Sequence, residues 1–165
     1  MLLAASLYQI GTEEALEKCA TIQTIGPRTA CILASFAIEH GKYGAAFDIL
    51  DLCTNDTNRM RKVLEVLAHS KSGNPHEAVD ILEKYLSTDG NRKIPVEVMN
   101  ALTEEIKKSD DDVLEEKFSD LCYELHKHGT LKEESVKEMV LFYQNDSESK
   151  RREIRSKETR ERKRK

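Results

Sequence analysis

Apolar residues recur every three or four positions along most of the chain, the spacing that buries one face of an α-helix. Glycine, proline and short polar runs separate these stretches, and no segment alternates with period two for long enough to predict a strand. An apolar stretch over residues 2–10 and a helix ending near Thr24 come first. The same pattern then predicts helices over residues 28–40, 43–53, 59–71, 75–86, 95–108, 111–127 and 131–143.

An internal repeat organises these helices. Residues 41–51 (GKYGAAFDILD) match residues 73–83 (GNPHEAVDILE) at an offset of 32, and residues 14–19 form a weaker copy. We expect the glycine to end one helix in the left-handed conformation, and the alanine five positions later to let the next helix approach closely. A helical repeat just over 30 residues long is typical of tetratricopeptide-like solenoids. With two clear copies, chance similarity between amphipathic helices is the alternative.

The predicted fold is therefore all-α, an α-solenoid of helical hairpins over residues 1–143, followed by a basic, flexible tail over residues 144–165. Ala46 and Ala78 should be buried at close helix crossings because they hold the same place in the two copies. The composition agrees, with 34% charged residues and only 3 Pro and 7 Gly. No run of about 18 apolar residues is present, so no membrane span is expected.

The four cysteines, Cys19, Cys31, Cys53 and Cys122, form no Cys-x-x-Cys pair and lie in apolar helical settings. They are expected to be small buried hydrophobes in a reducing compartment, with disulfides or a zinc site as the alternatives. The first five residues are typical of a helix interior rather than of a targeting sequence. Either the protein lacks a targeting signal or this chain is the back part of a longer one.

Charge is distributed unevenly along the chain. Residues 150–165 hold ten Lys or Arg and three Glu, a net +7, and the total of −4 therefore leaves −11 on residues 1–149. An acidic body argues against a broad phosphate-binding face, whereas the tail could bind RNA phosphates. A solvated helix with internal ion pairs and a nuclear localisation signal are the alternatives. The candidate nucleic-acid-binding residues are Lys150, Arg151, Arg152, Arg155, Lys157, Arg160, Arg162, Lys163, Arg164 and Lys165.

Residues 37–50 (AIEHGKYGAAFDIL) resemble the hairpin of a degenerate pentatricopeptide repeat. A wider match runs from about Arg28 to about Val140, and three blocks carry it through their order and spacing. They are residues 28–31 (RTAC), residues 96–99 (VEVM) with 106–110 (IKKSD), and residues 114–118 (LEEKF) with 125–126, Gly129 and 135–136. On these residues the chain resembles the C-terminal part of the animal family named pentatricopeptide repeat-containing protein 2, mitochondrial.

The resemblance implies a protein of the mitochondrial matrix that acts in the maturation of mitochondrial messenger RNA. Pentatricopeptide repeats recognise one RNA base per repeat through two or three side chains. By alignment with such repeats, the first base-recognition position falls at Cys31 and the next at Val63. Neither side chain can offer a donor and acceptor pair to a base, so the modular code is expected to be lost here.

No catalytic or metal-binding motif accompanies the helices. The five histidines have no metal-ligand spacing, and Asp110, Asp111 and Asp112 are typical of a helix start rather than of a calcium loop. The expectation is a non-enzymatic RNA-associated factor with no cofactor, no metal and no small-molecule substrate. Protein partners remain open. The alternative is a tetratricopeptide-type scaffold for protein–protein interactions, for example one associated with the mitochondrial ribosome.

Overall fold

The computed structural model describes residues 26–52, 59–87 and 93–140, and this part of the chain is mostly helical. Its first six predicted helices are confirmed, with ends within two residues of the expected positions. Predictions for residues 1–25, including the weaker repeat copy, and for the tail lie outside the described residues. The elements are α1 (Pro27–Glu39), α2 (Tyr43–Asp51), α3 (Arg59–Lys71), α4 (Pro75–Ser87), β1 (Ile94–Pro95), α5 (Val96–Ser109), α6 (Asp112–Lys127) and β2 (Leu131–Lys132).

The expected helix over residues 131–143 is wrong at its start. Leu131 pairs with Ile94 in a short parallel ladder, and Ile94 also donates its N–H to the carbonyl of Thr130 at 3.1 Å. The helix begins only at residue 136 and is described up to residue 140. Since Ile94 is almost completely buried, this pairing holds the chain after α6 against the start of α5. The expectation that no strand is present is therefore also wrong.

Glycine ends three of the described helices: Gly129 follows α6, and Gly41 and Gly73 do so in the two copies of the repeat, as predicted. Gly41 and Gly73 have φ angles of 70° and 80°, in the left-handed region that glycine enters at little cost. After each glycine, the next N–H returns to a carbonyl of the preceding helix: Lys42 bonds Ala37 at 2.8 Å, and Asn74 bonds His69 at 2.9 Å. The two copies of the repeat therefore share the same helix end, a Schellman-type cap.

Helices that follow one another in the chain pack together, as α1 with α2, α3 with α4 and α5 with α6. Packing also joins α1 to α3, α3 to α5, and α4 to α6. The central helix α3 contacts α1, α2, α4 and α5, and nine of its thirteen residues are buried. Ala46 and Ala78 are fully buried, which confirms that part of the prediction. No described helix is long and apolar enough to cross a lipid bilayer.

Candidate binding surfaces

The basic residues predicted to contact nucleic acid all belong to the segment after residue 140. They lie outside the described residues, so no contact of theirs enters the geometry below. The described helices contribute the exposed cationic, anionic and apolar side chains available to a partner.

The two expected base-recognition positions are buried. Cys31 in α1 and Val63 in α3 each expose 3% of their surface and belong to the main apolar core. A base edge cannot reach side chains that pack between helices, even apart from their lack of hydrogen-bonding pairs. In α1 and α3, sequence-specific recognition at these positions is thus excluded by burial as well as by side-chain chemistry.

A buried ion-pair network joins α2 to α3. The guanidinium of Arg61 donates from Nε to Glu65 at 2.6 Å and from a terminal nitrogen to Asp51 at 3.0 Å. Lys62 donates to the second oxygen of Glu65 at 2.8 Å. The side chains of Arg61 and Glu65 are only 11% and 10% exposed, so their charges face each other rather than solvent. This network holds two helices together and leaves Arg61 unable to bind a phosphate.

Other cations of the described helices also face carboxylates. Lys117 of α6 lies 2.7 Å from Asp80 and 2.9 Å from Glu83, both on α4, and links the two helices at their exposed side. These contacts lower the pKa of Asp80 and raise the pKa of Lys117, chiefly through the hydrogen bond between them. Lys108 pairs with Glu105 within α5. Lys117 and Lys108 are therefore already neutralised by carboxylates of the described helices.

The solvent side of α6 combines acidic and apolar side chains. We call it the α6 outer face and define it by Val113, Glu116, Asp120, Tyr123 and Glu124. Helical geometry places these five within a stripe about 100° wide. Val113 and Tyr123 are 76% and 68% exposed, and they are the exposed large hydrophobic residues of the described part of the chain. Three of its five members are carboxylates and none is basic, so the stripe itself is acidic.

A small crevice lies between α3, α4 and α5. Its lining is apolar except for Lys62 and Tyr85, with Val66, Ile94 and Val98 among the other residues, and it is too narrow to admit a water molecule. Tyr85 directs its hydroxyl to the carbonyl of Lys93 at 3.4 Å, and Lys62 is already paired with Glu65. The crevice thus presents no free polar group that would orient a small ligand.

Burial is the main cause of the pKa shifts of a histidine and a cysteine in the described helices. Burial lowers the pKa of His69, whose ring packs against Phe47 with 4.5 Å between ring centroids. Burial raises the pKa of the half-buried Cys122 thiol, which therefore stays protonated and is a poor nucleophile. No group of three or more His, Cys, Asp or Glu side chains that could hold a metal ion occurs in residues 26–52, 59–87 and 93–140.

The acidic run before α6 begins the helix, as predicted. Asp111 is the N-cap of α6, and its carboxylate accepts the N–H groups of Val113 and Leu114 at 3.1 and 3.0 Å. His76 of α4 lies 3.3 Å from the other oxygen of the same carboxylate. Both oxygens of Asp111 are therefore engaged in holding α6 and its neighbour α4.

Comparisons of the chain with protein-family models, with curated proteins and with solved structures find no match. The resemblance to pentatricopeptide proteins therefore rests on the residues quoted from the sequence. Sequence reasoning missed the α6 outer face and the buried Arg61 network. The Arg61–Glu65 spacing of four residues indicated an ion pair on a helix, but it did not indicate burial.

Proposed function

We propose that the protein is a non-enzymatic RNA-associated factor in the maturation of mitochondrial messenger RNA, and that it acts in the matrix. The observation that carries this proposal is the separation of charge along the chain. The tail, at +7, attracts RNA phosphates, whereas residues 1–149, at −11, repel them. The resemblance to a mitochondrial pentatricopeptide family supplies the compartment and the process.

The packing order of the helices supports the repeat architecture that this function assumes. Three successive helix pairs pack in order, and α1, α3 and α5 make contact one after another. In the two clear copies, the glycine helix ends and the buried alanines Ala46 and Ala78 occupy matching places. A solenoid of hairpins built in this way would be the support from which the tail extends.

RNA binding through the tail predicts a specific salt dependence. Removing residues 150–165 should weaken binding to single-stranded RNA and flatten the plot of log affinity against log salt. Each phosphate contact contributes a slope of about −0.7 for single strands. The measurement is a fluorescence-anisotropy titration at several salt concentrations. Equal slopes for the intact and shortened chains would contradict binding by the tail.

A matched pair of double variants separates the tail from total charge. Arg151→Gln with Arg152→Gln removes two charges from the tail, and Lys71→Gln with Lys107→Gln removes two from exposed positions on α3 and α5. If both arginines contact phosphates, the tail pair reduces the slope by about 1.4 and the body pair leaves it unchanged. Equal effects of the two pairs would mean that RNA responds to net charge alone.

A tetratricopeptide-type scaffold for proteins is the second candidate. The specific observation in its favour is the burial of Cys31 and Val63, which removes base recognition from α1 and α3. Such a scaffold would bind a protein partner, for example at the mitochondrial ribosome, and would not need the tail for RNA. The absence of measurable RNA binding by the intact chain at low salt would favour this function.

A further inference from the structure

The α6 outer face has charges that the described helices do not neutralise. Lys127 and His128 lie 3.6 and 3.3 Å from Glu124. In contrast, Glu116 and Asp120 have no cationic partner among the described residues, because the nearby Lys117 bridges to α4 instead. Two uncompensated carboxylates therefore lie between two exposed apolar side chains, Val113 and Tyr123.

This combination fits a cationic segment that also carries an apolar side chain. Arginine guanidinium groups pair with carboxylates and pack on aromatic rings, and an exposed tyrosine ring is such a platform. An aliphatic side chain in the same segment would cover Val113. A segment made only of lysines would satisfy the charges but would leave the apolar positions exposed.

The basic tail has this chemistry. Residues 151–155 read Arg-Arg-Glu-Ile-Arg, and Ile154 is the one large apolar residue within residues 150–165. Residues 150–165 carry a net charge of +7, and the five members of the α6 outer face include three carboxylates and no basic residue. The tail and the α6 outer face are thus complementary in sign and in their apolar content.

The chain is also long enough for the contact. Val140, the last described residue, follows the end of α6 at Lys127 by only 13 residues. The ten residues from there to Lys150 span at most about 33–36 Å when extended. The 16-residue helix α6 is itself about 24 Å long. The intervening segment therefore does not prevent the tail from reaching the α6 outer face.

We propose that the α6 outer face binds the chain's own basic tail, residues 150–165, and that RNA competes with this face for the tail. Docking on α6 would lower the fraction of tails available to RNA, and RNA would release the tail from the acidic surface. The docking itself requires no RNA. The competition rests on the function proposed above.

A tryptophan in the tail provides a direct test, because the natural chain contains none. In the full-length Ser156→Trp protein without RNA, we expect the indole to be shielded from acrylamide at low salt. The shielding should disappear near 1 M salt, where the Debye length is about 3 Å. Two face variants should release the tail: the single substitution Tyr123→Ala, and the double substitution Glu116→Lys with Asp120→Lys. If half of the tails dock in the parent, each variant should increase the low-salt quenching constant about twofold.

Two controls make the result specific to this face. Glu39→Lys with Asp48→Lys makes the same charge change at exposed positions of α1 and α2, and it should leave the quenching as in the parent. The shielding should also persist on about hundredfold dilution, since docking within one chain is independent of concentration. Equal quenching in the parent and the two face variants would overturn the proposal. Loss of shielding on dilution would assign the contact to a second copy and would overturn it as well.

RNA titrations of the same proteins test the competition. If half of the tails are docked, Tyr123→Ala should tighten RNA binding about twofold without changing the net charge. Equal RNA affinities for the parent and Tyr123→Ala would overturn the competition. If the indole is shielded but the protein binds no RNA, the docking proposal stands and the proposed RNA function is rejected. Failure of the docking and failure of the RNA function therefore give different results.

Discussion

Ala46 and Ala78 hold equivalent places in α2 and α4, and both side chains are fully buried. Leucine at either place would have to displace neighbouring side chains in a closely packed core. We expect Ala46→Leu and Ala78→Leu each to lower the free energy of unfolding by about 1–3 kcal/mol. Thermal and urea unfolding of the variants measure the loss.

The adjacent Ala45 supplies the control for this prediction. It lies on the same helix and is partly exposed, so Ala45→Leu should change the stability much less. If Ala46→Leu and Ala78→Leu have the same free energy of unfolding as the parent, the two repeat copies do not share a closely packed alanine.

His69 should make the stability depend on pH. Its Nδ1 atom is buried without a hydrogen-bond partner among the described residues, and burial lowers the pKa of the ring below the usual 6.5, against the opposing charges of Glu77 and Glu65. Below about pH 6.5 the unfolded chain therefore binds more protons at this ring than the folded chain does. The stabilisation by the neutral ring is complete above the pKa that the ring has in the unfolded chain. It is lost as pH falls through the lower pKa that the ring has in the folded chain.

Replacing His69 with phenylalanine should remove this contribution. Between about pH 7.5 and about pH 5.5, His69→Phe should lose less unfolding free energy than the parent, as measured in urea. His126→Phe changes an exposed ring on α6 and should follow the parent. A pH dependence of His69→Phe identical to that of the parent would show that protonation of this ring is not coupled to folding.

At the scale of single elements, the helix that begins at residue 136 depends on a capping box. Glu138 donates its N–H to the Ser135 hydroxyl at 3.2 Å, and its carboxylate accepts the N–H of Ser135 at 2.9 Å. Glu97 of α5 accepts the N–H of Val136 at 3.0 Å. Three backbone N–H groups at the start of this helix are thus satisfied by side chains.

Ser135→Ala should therefore destabilise this helix start by about 1 kcal/mol. Amide hydrogen exchange at residues 136–140 should become faster, while exchange in α3 should be unchanged. Ser119→Ala, at an exposed position within α6, is the matched control and should not accelerate exchange. Unchanged exchange after Ser135→Ala would mean that contacts of Val136 and Val140 with the core hold the helix without its cap.

Sequence patterns predicted the earlier helices correctly but misplaced the start of the helix that begins at residue 136. Periodic apolar residues predicted α1 to α6, and Gly41, Gly73 and Asp111 marked helix ends as expected. The helix over 131–143 began five residues too early because Leu131 is held by β1, more than 30 residues earlier in the chain. The Ser-x-x-Glu pattern at Ser135 is a local signal that could have placed the start correctly.

At the scale of the whole molecule, RNA recognition should be independent of base sequence. Phosphates carry no base identity, the tail has no aromatic residue for stacking, and the expected base-recognition positions are buried. Oligouridine and oligocytidine of equal length should therefore bind within about threefold of each other at the same salt concentration. Anisotropy competition measures the ratio. A preference of about a hundredfold would require base contacts from elsewhere in the chain.

The amino-acid sequence by itself determined the helices, their glycine ends and the separation of an acidic body from a basic tail. These properties depend on local periodicity, backbone preference and composition, which neighbours in the chain decide. Only the tertiary structure decided that Arg61 and Glu65 are buried, that Ile94 pairs with Leu131, and that Val113 and Tyr123 remain exposed. Burial depends on which helices pack on each face: α3 is buried over most of its surface, whereas α6 keeps one face open.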